Sequence, residues 1–259
     1  MDFTLKKYHE LLVTLQNKGY STITFEDYLQ QERPARFVIL RHDVDKKPKN
    51  SLATARLEAS LGIKASYYFR AVPESWDEKI IKEISSLGHE IGYHYESLTT
   101  CKGDMSAALR DFEFNLNRLR NLAPVTTICM HGSPRSPWDS KDLWKNNSYR
   151  HMRIIGEPYF DVDFSEVFYL TDTGRRWDGF KVSVRDKIPV HQDRWCKEGL
   201  VFHSTDNVIQ ALHDERLPNQ VMMTTHPQRW NDKPIPWIKE LVMQKTKNLV
   251  KRILIKSQL

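Results

Sequence analysis

The chain is 259 residues long, 40% hydrophobic and 28% charged, a mix that excludes disordered, collagen-like and membrane-embedded polypeptides. Its 39 Lys and Arg against 33 Asp and Glu leave a charge of +6, spread thinly except near the end; with no recognition motif beside it, this charge implies no nucleic-acid partner. Cys101, Cys129 and Cys196 stand at unrelated spacings and indicate neither a disulfide framework nor a thiolate zinc site.

From residue 35 to 225, short apolar runs alternate with longer helical stretches, the pattern of β/α units around a mostly parallel sheet. Strands are expected over 37–40, 65–69, 90–95, 126–130 and 221–225. Met105, Leu109, Phe112, Leu116 and Leu119 share one helical face behind Asp104, a candidate N-cap. Residues 168–170 and 180–184 read as strands around a Thr171-Asp172-Thr173-Gly174 turn, either an inserted hairpin or two barrel strands. A short helix is expected over 207–213 and a basic amphipathic one over 237–255, suited either to packing on the barrel or to a membrane surface. No repeat or linker divides the chain, so residues 1–259 read as one domain with its motifs in 35–230. With no signal-peptide-like segment after Met1 and no run of about 18 apolar residues, the expected location is cytoplasmic.

Polar residues that follow these strands carry the chemistry. Arg41-His42-Asp43-Val44-Asp45 follows the first run, His94-Tyr95-Glu96 closes the third, His131-Gly132-Ser133-Pro134 the fourth and His226-Pro227 the last. Parallel β/α sheets bind ligands at the carboxyl ends of their strands, so these segments are expected to converge. Side chains alternate along a strand, which places Asp43 with Asp45 on the side away from His42, and Glu90, Gly92, His94 and Glu96 on the face away from His89. Two acids at one strand end repel each other unless a cation is present. Two aspartates and three histidines suggest a metal-assisted hydrolase, with a bound divalent ion, an activated water, a carboxylate base and an imidazole acid.

The remaining candidates read as follows. Gly92 is expected to leave open space beside His94. His89 reads as structural, His9, His151, His191 and His213 as surface, and His42 and His203 fit either role. Trp138, Trp177 and Trp230 lie beside polar turns, where an indole either stacks on a sugar ring or packs in the core. Arg175-Arg176 either holds an anionic group of a substrate or forms a solvated turn.

On these residues, over about 35–230, the chain resembles the polysaccharide deacetylase family, the NodB-type domain of carbohydrate esterase family 4. His42-Asp43-Val44-Asp45 is similar to the family's two-aspartate strand end. Gly88-His89-Glu90-Ile91-Gly92-Tyr93-His94 resembles the stretch that leads to its first metal histidine, and Thr224-Thr225-His226-Pro227 the strand end with its acid histidine. The resemblance implies an α/β fold, a distorted (β/α) barrel of the NodB type. It also implies Asp43 as catalytic base, His226 as catalytic acid, and Asp45 and His94 as ligands of a divalent metal, Zn2+ first. The family's second histidine is replaced here by Leu98; His131 is the expected third ligand and Glu96 the alternative. Arg41, Arg175, Trp177, Arg229 and Trp230 form the expected substrate-binding set, with Arg41 or Arg229 also tuning the carboxylate.

The segments Arg-His-Asp-Val-Asp, Tyr-His-Tyr-Glu, Met-His-Gly-Ser-Pro and Thr-His-Pro-Gln-Arg-Trp together are similar to a sub-branch associated with bacterial O-antigen and other surface-glycan synthesis. That resemblance implies a cytoplasmic deacetylase, at most peripheral to the inner membrane. Its substrate would be an N-acylated sugar, acetylated first among these, presented as a nucleotide sugar, a lipid-linked saccharide or an oligosaccharide. Two alternatives stay open: a degenerate glycan-binding protein of the same fold, which Leu98 motivates, and an amidohydrolase acting on a small non-sugar amide.

Overall fold

The computed structural model describes residues 1–133, 136–177 and 186–256, with side chains of the last helix described up to residue 248. In chain order the elements are α1 (Leu5–Asn17), β1 (Ser21–Ile23), α2 (Phe25–Gln30), β2 (Phe37–Val44), α3 (Pro48–Ser60), β3 (Ser66–Phe69), α4 (Glu78–Ser86) and β4 (Glu90–Tyr95). There follow α5 (Ser97–Thr100), α6 (Met105–Arg120), β5 (Ile128–Met130), α7 (Pro158–Asp161), β6 (Phe168–Thr171), α8 (Pro189–Lys197), α9 (Thr205–His213), β7 (Gln220–Thr225) and α10 (Pro234–Lys256).

The helices start where polar side chains can satisfy their free N–H groups. Thr4 accepts from the Lys7 amide at α1, and Asp104 accepts from the Ala107 amide at 2.9 Å, as its position before the apolar face of α6 predicts. At α2, Thr24 and Asp27 form a reciprocal capping box.

The strands make one parallel sheet in the order β5-β4-β3-β2-β7-β6, with β1 beside the first half of β2. This curled sheet with flanking helices is the α/β class expected of a distorted (β/α) barrel. β2 lies at its centre and buries all eight of its residues. Its Phe37-Val38-Ile39-Leu40 run is covered on both faces, and each such side chain contributes roughly 1.5–3 kcal/mol of apolar burial. Because every pairing is parallel, the carboxyl ends of β2, β4, β5, β6 and β7 meet at one rim.

Several elements differ from the sequence reading. β1 and α2 precede the region where strands were expected; a three-residue strand is too short for a periodic signal. β5 is shorter than expected, and Thr127 forms an isolated parallel bridge to Gly156. Residues 168–171 pair in parallel with β7, which makes β6 a barrel strand and not one arm of a hairpin. The strand expected over 180–184 lies outside the described residues. Among the described residues, no helix is long and apolar enough to cross a membrane.

Candidate active site

Asp43 and Asp45 leave the end of β2 on the same side, as strand alternation requires. Arg41, two residues earlier, donates from Nε to Asp43 Oδ1 at 2.8 Å and from Nη2 to Oδ2 at 2.6 Å. Burial disfavours the charged form of Asp43, but Arg41 and then His94 outweigh it and hold the carboxyl below the usual range. Asp45 also stays ionised: its burial is outweighed by His226, His131 and His94, and Gln228 Nε2 donates to its Oδ2 at 3.0 Å.

His94, from β4, and His131, just past β5, face the same oxygen. His94 Nε2 lies 3.7 Å and His131 Nδ1 3.9 Å from Asp45 Oδ1, and the donor atoms of the three residues lie within 4.8 Å of one another. His94 Nδ1 donates to the Cys129 carbonyl at 3.0 Å, which fixes the tautomer and turns the Nε2 lone pair toward Asp45. Burial pushes the His94 pKa down, and burial with the neighbouring His94 pushes His131 down to about 4. His131 Nδ1 is buried with no hydrogen-bond partner among the described residues. Two neutral imidazoles and one carboxylate, with an orphaned ring nitrogen among them, fit the donor set of a divalent cation bound at about 2.0–2.2 Å.

A second group, Asp43 with His94 and Cys129, is also close enough to hold an ion. It fits less well, because both Asp43 oxygens are taken by Arg41 and burial pushes the Cys129 thiol far up, against the thiolate that binds metal. Glu96, the alternative third ligand, is claimed by a two-pronged bond from Arg70, Nε and Nη2 each 2.9 Å from a carboxylate oxygen. Leu98 is buried in the core at the start of α5.

His226, just past β7, faces Asp45 from the other side, its Nε2 4.0 Å from Asp45 Oδ2. Its Nδ1 donates to Asp172 Oδ1 at 2.6 Å and its backbone N–H to Asp172 Oδ2 at 3.0 Å. Arg229 Nη1 donates to Asp172 Oδ1, and Trp230 Nε1 donates to Oδ2 at 2.8 Å. Burial and Arg229 oppose the charged ring, but Asp172 and Asp45 outweigh them, so the His226 pKa is raised.

The residues of the expected substrate-binding set lie as follows. Arg41 is 1% exposed and donates from Nε and Nη2 to Asp43, while Arg229 donates to Asp172, so each guanidinium faces a carboxylate. Trp177 and Trp230 are 1% and 2% exposed, packed with Phe3 in one aromatic cluster, and offer no face to a sugar. Arg175 stacks between the rings of Phe3 and Trp237 and lines a different cavity. The space beside Gly92 is filled: a Cβ there would sit 2.2 Å from the Tyr68 ring.

His42 points to the opposite side of the sheet. There its Nε2 meets buried Glu58 at 2.7 Å, and Glu58 also accepts from Tyr8 at 2.5 Å and Tyr67 at 2.6 Å. His89 accepts from the Ala65 amide at Nδ1 and donates from Nε2 to the Ala55 carbonyl.

Sequence reasoning missed Asp172, Gln228, Arg70, Tyr159 and Asp186. Asp172 follows β6 as Asp45 follows β2, so the strand-end rule points to it, but its TDTG setting reads as a turn. Asp186 accepts from Tyr159 at 2.9 Å, Thr171 at 2.7 Å, Thr173 at 2.5 Å and Tyr169. Tyr159 links it to the acid pair, its hydroxyl 3.4 Å from Arg41 Nη2.

No protein-family model matches the chain, and no curated protein does. One solved structure that is similar is the peptidoglycan deacetylase PdaC from Bacillus subtilis, determined as a point mutant. The likeness is 11% identity and a TM-score of 0.36, over 85% of this chain and 96% of that one.

Proposed function

We propose that the protein is a metal-dependent hydrolase that removes an acyl group, N-acetyl first, from a sugar. The observation that carries the reading is the convergence, from five strand ends, of an Asp45-His94-His131 donor set between an arginine-held Asp43 and an aspartate-held His226.

A divalent cation, Zn2+ by its preference for such ligands, would polarise the amide carbonyl and acidify water in that donor set. Asp43 is ionised and anchored, so it accepts the proton of the attacking water. His226 keeps its proton because Asp172 and Asp45 stabilise the charged ring, and it gives that proton to the departing nitrogen as the C–N bond breaks. The products are a carboxylic acid and an amine. Tyr159 also borders a neighbouring cavity of about 500 Å3 that includes Trp144, Tyr149, Phe160, Lys141 and Arg150. Phe160 is 49% exposed, so an aromatic surface there is open to a sugar ring in the way the buried Trp177 and Trp230 are not.

The strand-end segments support a role in O-antigen or other surface-glycan synthesis on the cytoplasmic side of the inner membrane. Acetate release from N-acetylated nucleotide sugars and lipid-linked saccharides tests the reading. Release by the wild type that is lost in Asp43→Asn supports it; full activity in Asp43→Asn, or no release across the panel, contradicts it.

A further inference from the structure

Beyond the rim, a second cavity of about 420 Å3 opens between the turn after β6 and helix α10. Its wall includes Arg175, Arg176, Gln244, Lys245 and Asn248, three cations and two amides, with no acidic side chain among the described residues that line it. The wall is built on both sides. Asn248 Nδ2 donates to the Gly174 carbonyl at 2.9 Å, Gln244 Nε2 donates to Asn248 Oδ1 at 2.8 Å, and Arg176 is held against His203.

Arg175 is the unusual member. It adopts a left-handed backbone, φ 56°, which a side-chain-bearing residue seldom takes. Its guanidinium is clasped between Phe3, 4.8 Å from the ring centre, and Trp237, at 4.7 Å. It is more than nine-tenths buried, and its Nη1 has no hydrogen-bond partner among the described residues. The described carboxylates that act on it are occupied elsewhere: Asp2 accepts from Thr205, Asp172 from His226 and Trp230, and Glu240 pairs with Lys46 and Lys47. A buried cationic donor without an acceptor is costly unless a ligand supplies one. Guanidinium forks and amide donors beside a lysine match the tetrahedral oxygens of a phosphate.

We propose that this cavity is a phosphate-binding site, reading the phosphate or diphosphate group of a ligand through Arg175, Arg176 and Lys245. It does not depend on the deacetylase reading, since it involves none of the residues that carry that chemistry. Two sources share this chemistry, a soluble phosphorylated ligand and a phospholipid headgroup.

Calorimetric titration of the full chain with inorganic pyrophosphate at physiological ionic strength tests the proposal without any turnover. The expected result is saturable binding of one ion per chain, weakened at least roughly tenfold in Lys245→Gln and in Arg176→Gln. Arg175→Gln is expected to abolish it; because that side chain is buried, the two more peripheral variants keep the test decisive if it fails to fold. Absence of wild-type binding, or affinity unchanged in Lys245→Gln and Arg176→Gln, overturns the site. Once binding is seen, phosphatidylglycerol vesicles that displace pyrophosphate assign the site to a headgroup, and vesicles that leave it bound assign it to a soluble ligand.

Discussion

Arg41 and Asp43, two residues apart on β2, are joined by two parallel hydrogen bonds of 2.8 and 2.6 Å, both side chains almost sealed from water. This contact makes Asp43 a persistent anion and fixes the direction of its lone pairs. Replacing Arg41 by Met strands a buried charge, and a loss of about 3–5 kcal/mol in denaturant unfolding is expected. In whatever folds, the Asp43 pKa rises, so the acidic limb of the pH–activity profile moves to higher pH. Arg41→Lys restores the charge but not the fork, and is expected to fall between wild type and Arg41→Met.

Asp172 does for His226 what Arg41 does for Asp43. In Asp172→Asn the ring loses the carboxylate that raises its pKa, while burial and Arg229 continue to lower it. Hydrolysis is expected to fall by about 10²–10⁴, the usual contribution of general acid catalysis. The basic limb of the profile is expected to shift to lower pH. A fall in rate with that limb unmoved would separate Asp172 from the protonation of His226.

Glu157 gives a pH effect on stability. It is fully buried, and although it accepts from the Met130 and Tyr159 amides, burial raises its pKa from an ordinary 4.5 to about 7. Between those values the folded chain binds more protons than the unfolded one, so this group's contribution to stability declines as pH rises through the window and is fully lost above it. The decline amounts to about 3 kcal/mol. Glu157→Gln is neutral throughout and is expected to gain stability relative to wild type by that order between about pH 5 and about pH 8, read from urea midpoints at each pH.

Gly92 is tested by a single methyl. Its Cβ would lie 2.2 Å from Tyr68 Cε1, on a ring buried in the sheet whose hydroxyl bonds Thr127 at 3.0 Å. Gly92→Ala is expected to destabilise by about 1–3 kcal/mol in thermal or urea unfolding. Tyr68→Ala in the same background removes the clashing ring and is expected to make the Gly92→Ala change nearly neutral.

The parts of this site that lay open to sequence reading were those set by one strand. Asp43, Asp45, His94, His131 and His226 each follow an apolar run, and parallel pairing alone brings such ends together. The parts that stayed hidden depend on chain returning from elsewhere. Trp177 and Trp230 sit beside polar turns in sequence, but Phe3 and Tyr8 of the amino-terminal segment cover them. Arg41 and Arg229 look like free cations until their carboxylates are placed beside them. Glu96 has the right position for a ligand, and only β3, ending just before Arg70, shows why it is taken. Asp186 lies fifteen residues beyond Thr171, and its four hydroxyl partners come from α7, β6 and the turn after β6, which no local pattern links.

The central claim is that Asp45, His94 and His131 hold one divalent cation, with His131 in the place Leu98 does not fill. Metal content per chain after Zn2+ loading and exhaustive dialysis tests it most directly. One equivalent in the wild type and in Glu96→Gln, with loss in Asp45→Ala, His94→Ala and His131→Ala, is the predicted result. Retention of a full equivalent in His131→Ala, or loss in Glu96→Gln alone, would contradict it.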